Sequence, residues 1–142
     1  MPCRPRKPAC MPFALEFQNN GVFLTFAEVV TDEHLLESDE QLYGHVYPDG
    51  LQFQLVDLTE VRDFRASHKT MRYLGEKDRE YSQTHGRQVI AVIAPTQGRS
   101  NSIVWEVWAQ DTSTSDPALV TKLVDNREEA VAWLKENGIE IS

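Results

Sequence analysis

Gln88-Val89-Ile90-Ala91-Val92-Ile93-Ala94 is the stretch on which the fold of this chain turns. Six of its seven residues are apolar and four are β-branched. A run with no polar alternation has no solvent face, so it predicts a short strand buried on both sides, as at the centre of a parallel sheet. Pro95 ends it, because proline offers the ladder no N–H. A strand covered above and below needs other elements on both faces, which is the arrangement of an α/β domain.

Upstream of this strand, Ser67 opens a long helical stripe of Met71, Leu74, Asp78, Tyr81 and His85, with Gly75 and Ser82 beside it and Gly86 at the stop position. Before that, Leu51 to Leu58 (LQFQLVDL) alternates and then turns fully apolar, a second strand, followed by a loop from Thr59 to His68 that overlaps the helix start. Pro48-Asp49-Gly50 reads as a turn. Thr31 is the N-cap of another helix, with Asp32 and Glu33 in its first turn, Leu35, Leu36, Leu42 and Tyr43 at helical spacing and Gly44 as a stop. Phe13 to Gln18 and Gly21 to Glu28 flank Asn19-Asn20-Gly21, the chemistry of an antiparallel hairpin.

Downstream, Ile103, Val104, Val107 and Trp108 share a helical face within Ser100 to Gln110. Asp111 to Pro117 is polar loop, and Ala118 to Val124 (ALVTKLV) is a last strand. Asp125 with Glu128 has the spacing of a capping box, ahead of Ala130, Val131, Trp133 and Leu134 as a buried face. Gly138 and Ile139 suit the end of that helix. The predicted order is ββαβαβαβα: a mostly parallel sheet with an N-terminal hairpin, right-handed crossovers and flanking helices.

The length of 142 residues suits one domain over 13–142 with one continuous core. Its 22 acidic and 14 basic residues leave a formal charge of -8, which opposes binding to nucleic acid or to an anionic membrane surface. Residues 1–12 differ in composition. Pro2, Pro5 and Pro8 alternate with Arg4, Arg6 and Lys7, no acid is present, and no apolar run marks a secretory signal, so a flexible basic arm is expected. Both cysteines, Cys3 and Cys10, fall in this arm without further Cys or His for a metal site. Nowhere do about 20 apolar residues run together as a membrane span requires. A cytoplasmic protein with unlinked thiols is the expectation.

The element order, together with Leu55-Val56-Asp57-Leu58-Thr59-Glu60-Val61 leading to a Ser-capped helix, the VIAVIAP strand and the NREEAVAWL ending, resembles the STAS domain. More narrowly it is similar to the bacterial SpoIIAA-like group, named after an anti-sigma-factor antagonist. The resemblance covers Phe13 to the C-terminus and, since none of its pieces is a catalytic signature, it speaks for the fold more strongly than for a role. In the phosphorylated antagonists of that family an Asp-Ser-Ser-Gly motif carries the modified serine, and its four positions fall here at Arg65, Ala66, Ser67 and His68. Only the serine is kept, so the resemblance does not carry over the kinase-controlled switch. The fold is also similar to Cral-Trio lipid carriers, although the chain is short for their lipid pocket.

In an open α/β sheet a ligand site lies beyond the carboxyl ends of the strands. Two stretches build that edge here, Thr59 to His68 and Pro95 to Asn101 (PTQGRSN). The free N–H groups of a helix beginning at Ser67, with Arg65, His68, Lys69 and Arg72 nearby and Arg99 and Ser100 from the second stretch, point to a small anionic ligand or a partner's carboxylate. The plainer reading makes Ser67 a cap and the cations a solvated surface. Trp105 widens the apolar stripe of its helix, and with Trp108 it suggests a protein partner or a homodimer. Asp57, at the end of an apolar strand, is read as either a titrating or a loop-bracing carboxylate.

No catalytic constellation is legible. Ser67 and His68 are adjacent in sequence and cannot face each other on a helix. His34, His45 and His85 are dispersed, so neither a metal nor a cofactor is expected. The expected function is therefore a non-enzymatic STAS-like binding or regulatory domain acting around Ser67. A carrier or sensor of an anionic or lipid-like molecule is the alternative, and an unrecognised hydrolase the third.

Overall fold

A computed structural model describes residues 12–94 and 118–141. The basic arm but for Pro12, and the helix expected over Ser100 to Gln110 with Trp105 and Trp108, lie outside those residues.

The chain opens with β1 (Phe13–Phe17) and β2 (Gly21–Thr31), an antiparallel pair in which Phe13 faces Phe26 and Phe17 faces Val22. Gly21 is required at the turn by space. A Cβ there would lie 2.2 Å from a ring carbon of Phe53 and 2.6 Å from its carbonyl oxygen. Helix α1 (Asp32–Gly44) follows β2 without a loop, since Thr31 both ends the strand and caps the helix through the His34 N–H.

Strand β3 spans Phe53–Arg65, seven residues beyond the predicted end at Leu58. The loop expected over Thr59 to His68 is therefore mostly strand. Its outer half pairs with Ala27 to Thr31 of β2 across two register shifts, with Glu28 held at φ 59° between them. Arg62 donates to Glu28 Oε1 at 2.9 Å over this irregularity. Only Ala66 and Ser67 then separate β3 from α2 (His68–His85), which Gly86 caps as expected.

Strand β4 (Gln88–Ile93) is buried at all six positions and pairs in parallel with β3 on one side and β5 (Leu119–Val124) on the other. The final helix, α3 (Arg127–Glu136), is capped by Asn126, whose side chain accepts from the Glu129 N–H at 2.9 Å. The cap read at Asp125 thus sits one residue later, at Asn126, and the Glu129 carboxylate accepts from the Asp125 N–H at 3.4 Å. Gly138 at φ 85° lets Ile139 donate back to Leu134 and bury its side chain.

The five strands of the sheet lie in sequence order, β1-β2-β3-β4-β5, and all pairs but the first are parallel. The described chain is thus an α/β domain with a mixed sheet and three helices among the described residues. On one face Leu24, Phe26, Val56, Ile90 and Val92 meet Leu35 and Leu42 of α1 and Met71 and Leu74 of α2. On the other Phe53, Leu55, Val89, Ala91 and Ile93 meet Ala130 and Leu134 of α3, with Trp133 only half-buried at its margin. Two-sided burial is what the QVIAVIA run demanded. Helices α1 and α2 run side by side in the same direction: Asp32 reaches Ser67, Asp39 reaches Lys77, and the rings of Tyr43 and Tyr81 lie 4.6 Å apart.

Candidate functional site

Ser67 is the N-cap of α2. Its Oγ accepts the Thr70 N–H at 3.1 Å and lies 3.1 Å from Thr70 Oγ1, so the hydroxyl is engaged within its own helix turn. The Ser67 N–H donates to Asp32 Oδ1 of α1 at 2.8 Å. A carboxylate of this chain therefore already occupies part of the expected anion site, and its negative charge opposes a second anion there. Arg65, at the end of β3, is turned to Asp63 at 2.7 Å, both side chains largely exposed. His68 and Lys69 are exposed in the first turn of α2. The structure thus brings Arg65, Ser67, His68 and Lys69 to one edge, but Asp32 and Asp63 share it with them. Arg99 and Ser100 lie outside the described residues.

Lys69 and Ser67 line one end of an open groove of about 610 Å³ between α1 and α2. Asp32, Leu36, Asp39 and Glu40 form the α1 wall, and Thr70, Tyr73 and Lys77 continue the α2 wall. Leu36 and Tyr73 are 41% and 47% exposed, large apolar surfaces facing solvent on either side of it. Leu36 was expected to pack inward with Leu35. The helix instead rotates Leu35, Ser38, Asp39 and Leu42 to the sheet.

Asp39 is the pivot of this region. It lines the groove and also a small interior space of about 30 Å³ that reaches down to Gln54, Asp78 and Ile90. The Lys77 Nζ lies 3.0 Å from Asp39 Oδ2, a shielded oxygen, but off the line of an aligned hydrogen bond. Burial raises the Asp39 carboxyl above its ordinary range, and the close approach and charge of Lys77 offset only part of that. For Lys77, burial opposes the charged form but Asp39 outweighs it and the ammonium is held more firmly than usual. The same ammonium stands 5.6 Å from the centre of the Tyr43 ring and 5.9 Å from that of Tyr73.

Below this pair is a buried polar cluster. Tyr43 donates to Asp78 Oδ1, Gln54 Nε2 donates to Gln88 Oε1 at 2.6 Å and to the Tyr43 hydroxyl at 3.1 Å, and Gln88 Nε2 lies 3.4 Å from Ser82 Oγ. Burial pushes the Tyr43 hydroxyl well up, with Asp78 adding to it. Its members satisfy one another, which is the arrangement that buried polar groups need in order to be tolerated. The signal in the sequence was Gln54 and Gln88 within otherwise apolar strands and Asp78 within an apolar stripe.

The other polar residues singled out from sequence have local occupations. Asp57 accepts from the Thr59 N–H at 2.9 Å and hydroxyl at 2.5 Å, bracing the strand. His34 completes the α1 cap with Thr31, His45 stacks on Phe17 at 3.8 Å, and His85 stacks on Tyr81 at 4.1 Å. Among the described residues no three His, Cys, Asp or Glu side chains gather as a metal would require, and no helix is long and apolar enough to cross a membrane. No family model, curated protein or solved structure matches this chain.

Proposed function

We propose that this chain is a STAS-like, non-enzymatic binding domain whose protein partner lies along the α1/α2 groove beside Ser67. The observation that carries the reading is the pair of exposed apolar side chains, Leu36 and Tyr73, facing each other across an open groove rimmed by Asp32, Glu40 and Lys69. Apolar and aromatic anchors inside a charged rim are the anatomy of protein interfaces. A carrier of a lipid-like molecule needs several hundred cubic ångströms of interior. Among the described residues, the space between α1, α2 and the sheet is about 30 Å³, room for a water or two. A small anion at Ser67 would sit against Asp32.

The reading is tested by placing a photo-crosslinking residue at position 36 or 73 in cells expressing the full chain, with position 136 on α3 as the control. Discrete adducts with another protein are expected from the groove positions and not from the control. Adducts from position 136 alone, or equally from all three, would place the interface elsewhere.

A further inference from the structure

We propose that the groove recognises an arginine of the docking partner, whose guanidinium takes the place of the Lys77 ammonium at Asp39 beside the rings of Tyr43 and Tyr73. This rests on the groove being the docking surface and names the chemistry of what enters it. Asp39 is 8% exposed, and its Oδ2 is shielded from solvent with no aligned hydrogen bond. It nonetheless forms part of the groove wall. A buried carboxylate oxygen without an aligned donor, at the side of an open groove, calls for a cation with donors that can be aimed at it.

Lys77 fills that need incompletely. Its ammonium is in contact with Asp39 Oδ2 at 3.0 Å, but the side chain is 36% exposed and hangs on a long flexible stem. Its displacement into solvent gives up one contact with Asp39, which the incoming guanidinium replaces. A guanidinium carries five donors in a planar fork that matches a carboxylate and stacks on aromatic faces, and both kinds of surface are present here. Lys77 itself marks the position, since its ammonium stands near two tyrosine rings. The cost of burying Asp39 is met when the domain folds, so an incoming cation gains the pairing without it. The formal charge of -8 draws cationic segments toward the surface. Leu36 and Tyr73 would take an apolar neighbour of that arginine.

The experiment titrates the full chain with two blocked dipeptides, acetyl-Leu-Arg-amide and acetyl-Leu-Gln-amide, and follows the backbone amide signals of α1 and α2. Saturable shifts confined to residues 36–40 and 69–77 are expected with the arginine probe, and weaker binding by roughly tenfold with glutamine. Asp39→Asn should weaken the arginine probe by a similar factor. Lys77→Met should strengthen it several-fold, because it removes the internal competitor. Lys69→Met removes the same charge from the same groove without vacating Asp39, so it should strengthen binding far less. Equal gains from Lys69→Met and Lys77→Met would reduce the effect to net charge and overturn the proposal. Equal binding of the two dipeptides, or shifts away from α1 and α2, would do the same. Circular dichroism of each variant establishes that it is folded, and Asp39→Asn is nearly isosteric should Lys77→Met prove unstable. Because crosslinking from positions 36 and 73 does not require an arginine, the docking surface would survive the loss of this proposal.

Discussion

Asp39 and Lys77 tie stability to pH in a direction that can be worked out. Burial raises the Asp39 carboxyl above its ordinary 3.8, so the folded chain holds that proton more tightly than the unfolded chain. Ionising Asp39 therefore costs stability as pH rises through the raised value, and the cost is absent below about 3.8. Lys77 offsets part of this cost. Lys77→Met should then destabilise the domain by ~1–2 kcal/mol at neutral pH, below the figure for a fully buried pair because Lys77 is partly exposed. The deficit should close as acid protonates Asp39 in both proteins. Urea titrations at neutral and acidic pH measure it, and a deficit unchanged by pH would mean that the lysine stem, not its charge, is what counts.

Ser67 offers a second test at this scale. Asparagine and aspartate both cap helices well, but only aspartate adds a charge beside Asp32. Ser67→Asn should keep wild-type stability within a few tenths of a kcal/mol, Ser67→Ala should lose ~1 kcal/mol, and Ser67→Asp should fall below Ser67→Asn by an amount that shrinks with salt. Equal melting temperatures for the Asp and Asn variants at low salt would show that Asp32 does not press on this cap. At Gly21 the constraint is steric. Gly21→Ala drives a methyl into the buried Phe53 ring and its carbonyl, and should cost ~3 kcal/mol or more in chemical denaturation.

Among the elements, those whose apolar period is unbroken were legible and those held by partners far away in sequence were not. Gln88 to Ile93 is a strand because every side chain has a buried place to go, and Ile90→Ala should cost ~2–5 kcal/mol in urea unfolding, a loss under ~1 kcal/mol being incompatible with a central strand. The outer half of β3 reads differently. Thr59, Glu60, Arg62 and Asp63 are exposed, and only Val61 is fully buried there, so the composition is that of a loop. Pairing with Ala27 to Thr31 makes it a strand, a tertiary cause that no local window contains. The site was half legible for a like reason. The cap at Ser67 and its nearby cations follow from local rules, whereas the Asp32 carboxylate beside it comes from 35 residues upstream. The groove exists only because α1 and α2 lie side by side. Leu36 was misplaced because a leucine pair at i and i+1 does not say which of its members faces inward.

At the level of the whole molecule, two cores share one sheet, and they are completed by different parts of the chain. The α1/α2 side is built largely from residues 13–94, whereas the α3 side needs 119–141 as well. Since each strand pairs with the strand before it in sequence, the sheet can grow in the order in which a ribosome delivers it, and each of the first three pairings closes a short stretch of chain. That order leaves an interval in synthesis. Once β4 has emerged and nothing after Ala94 has, Phe53, Leu55, Val89, Ala91 and Ile93 form a bare apolar sheet face with an unpaired parallel edge along β4. A fragment ending at Ala94 should consequently bind a hydrophobic dye and aggregate, and adding a peptide of residues 118–142 should suppress both. During translation this half-covered sheet is the form of the protein that most needs a chaperone.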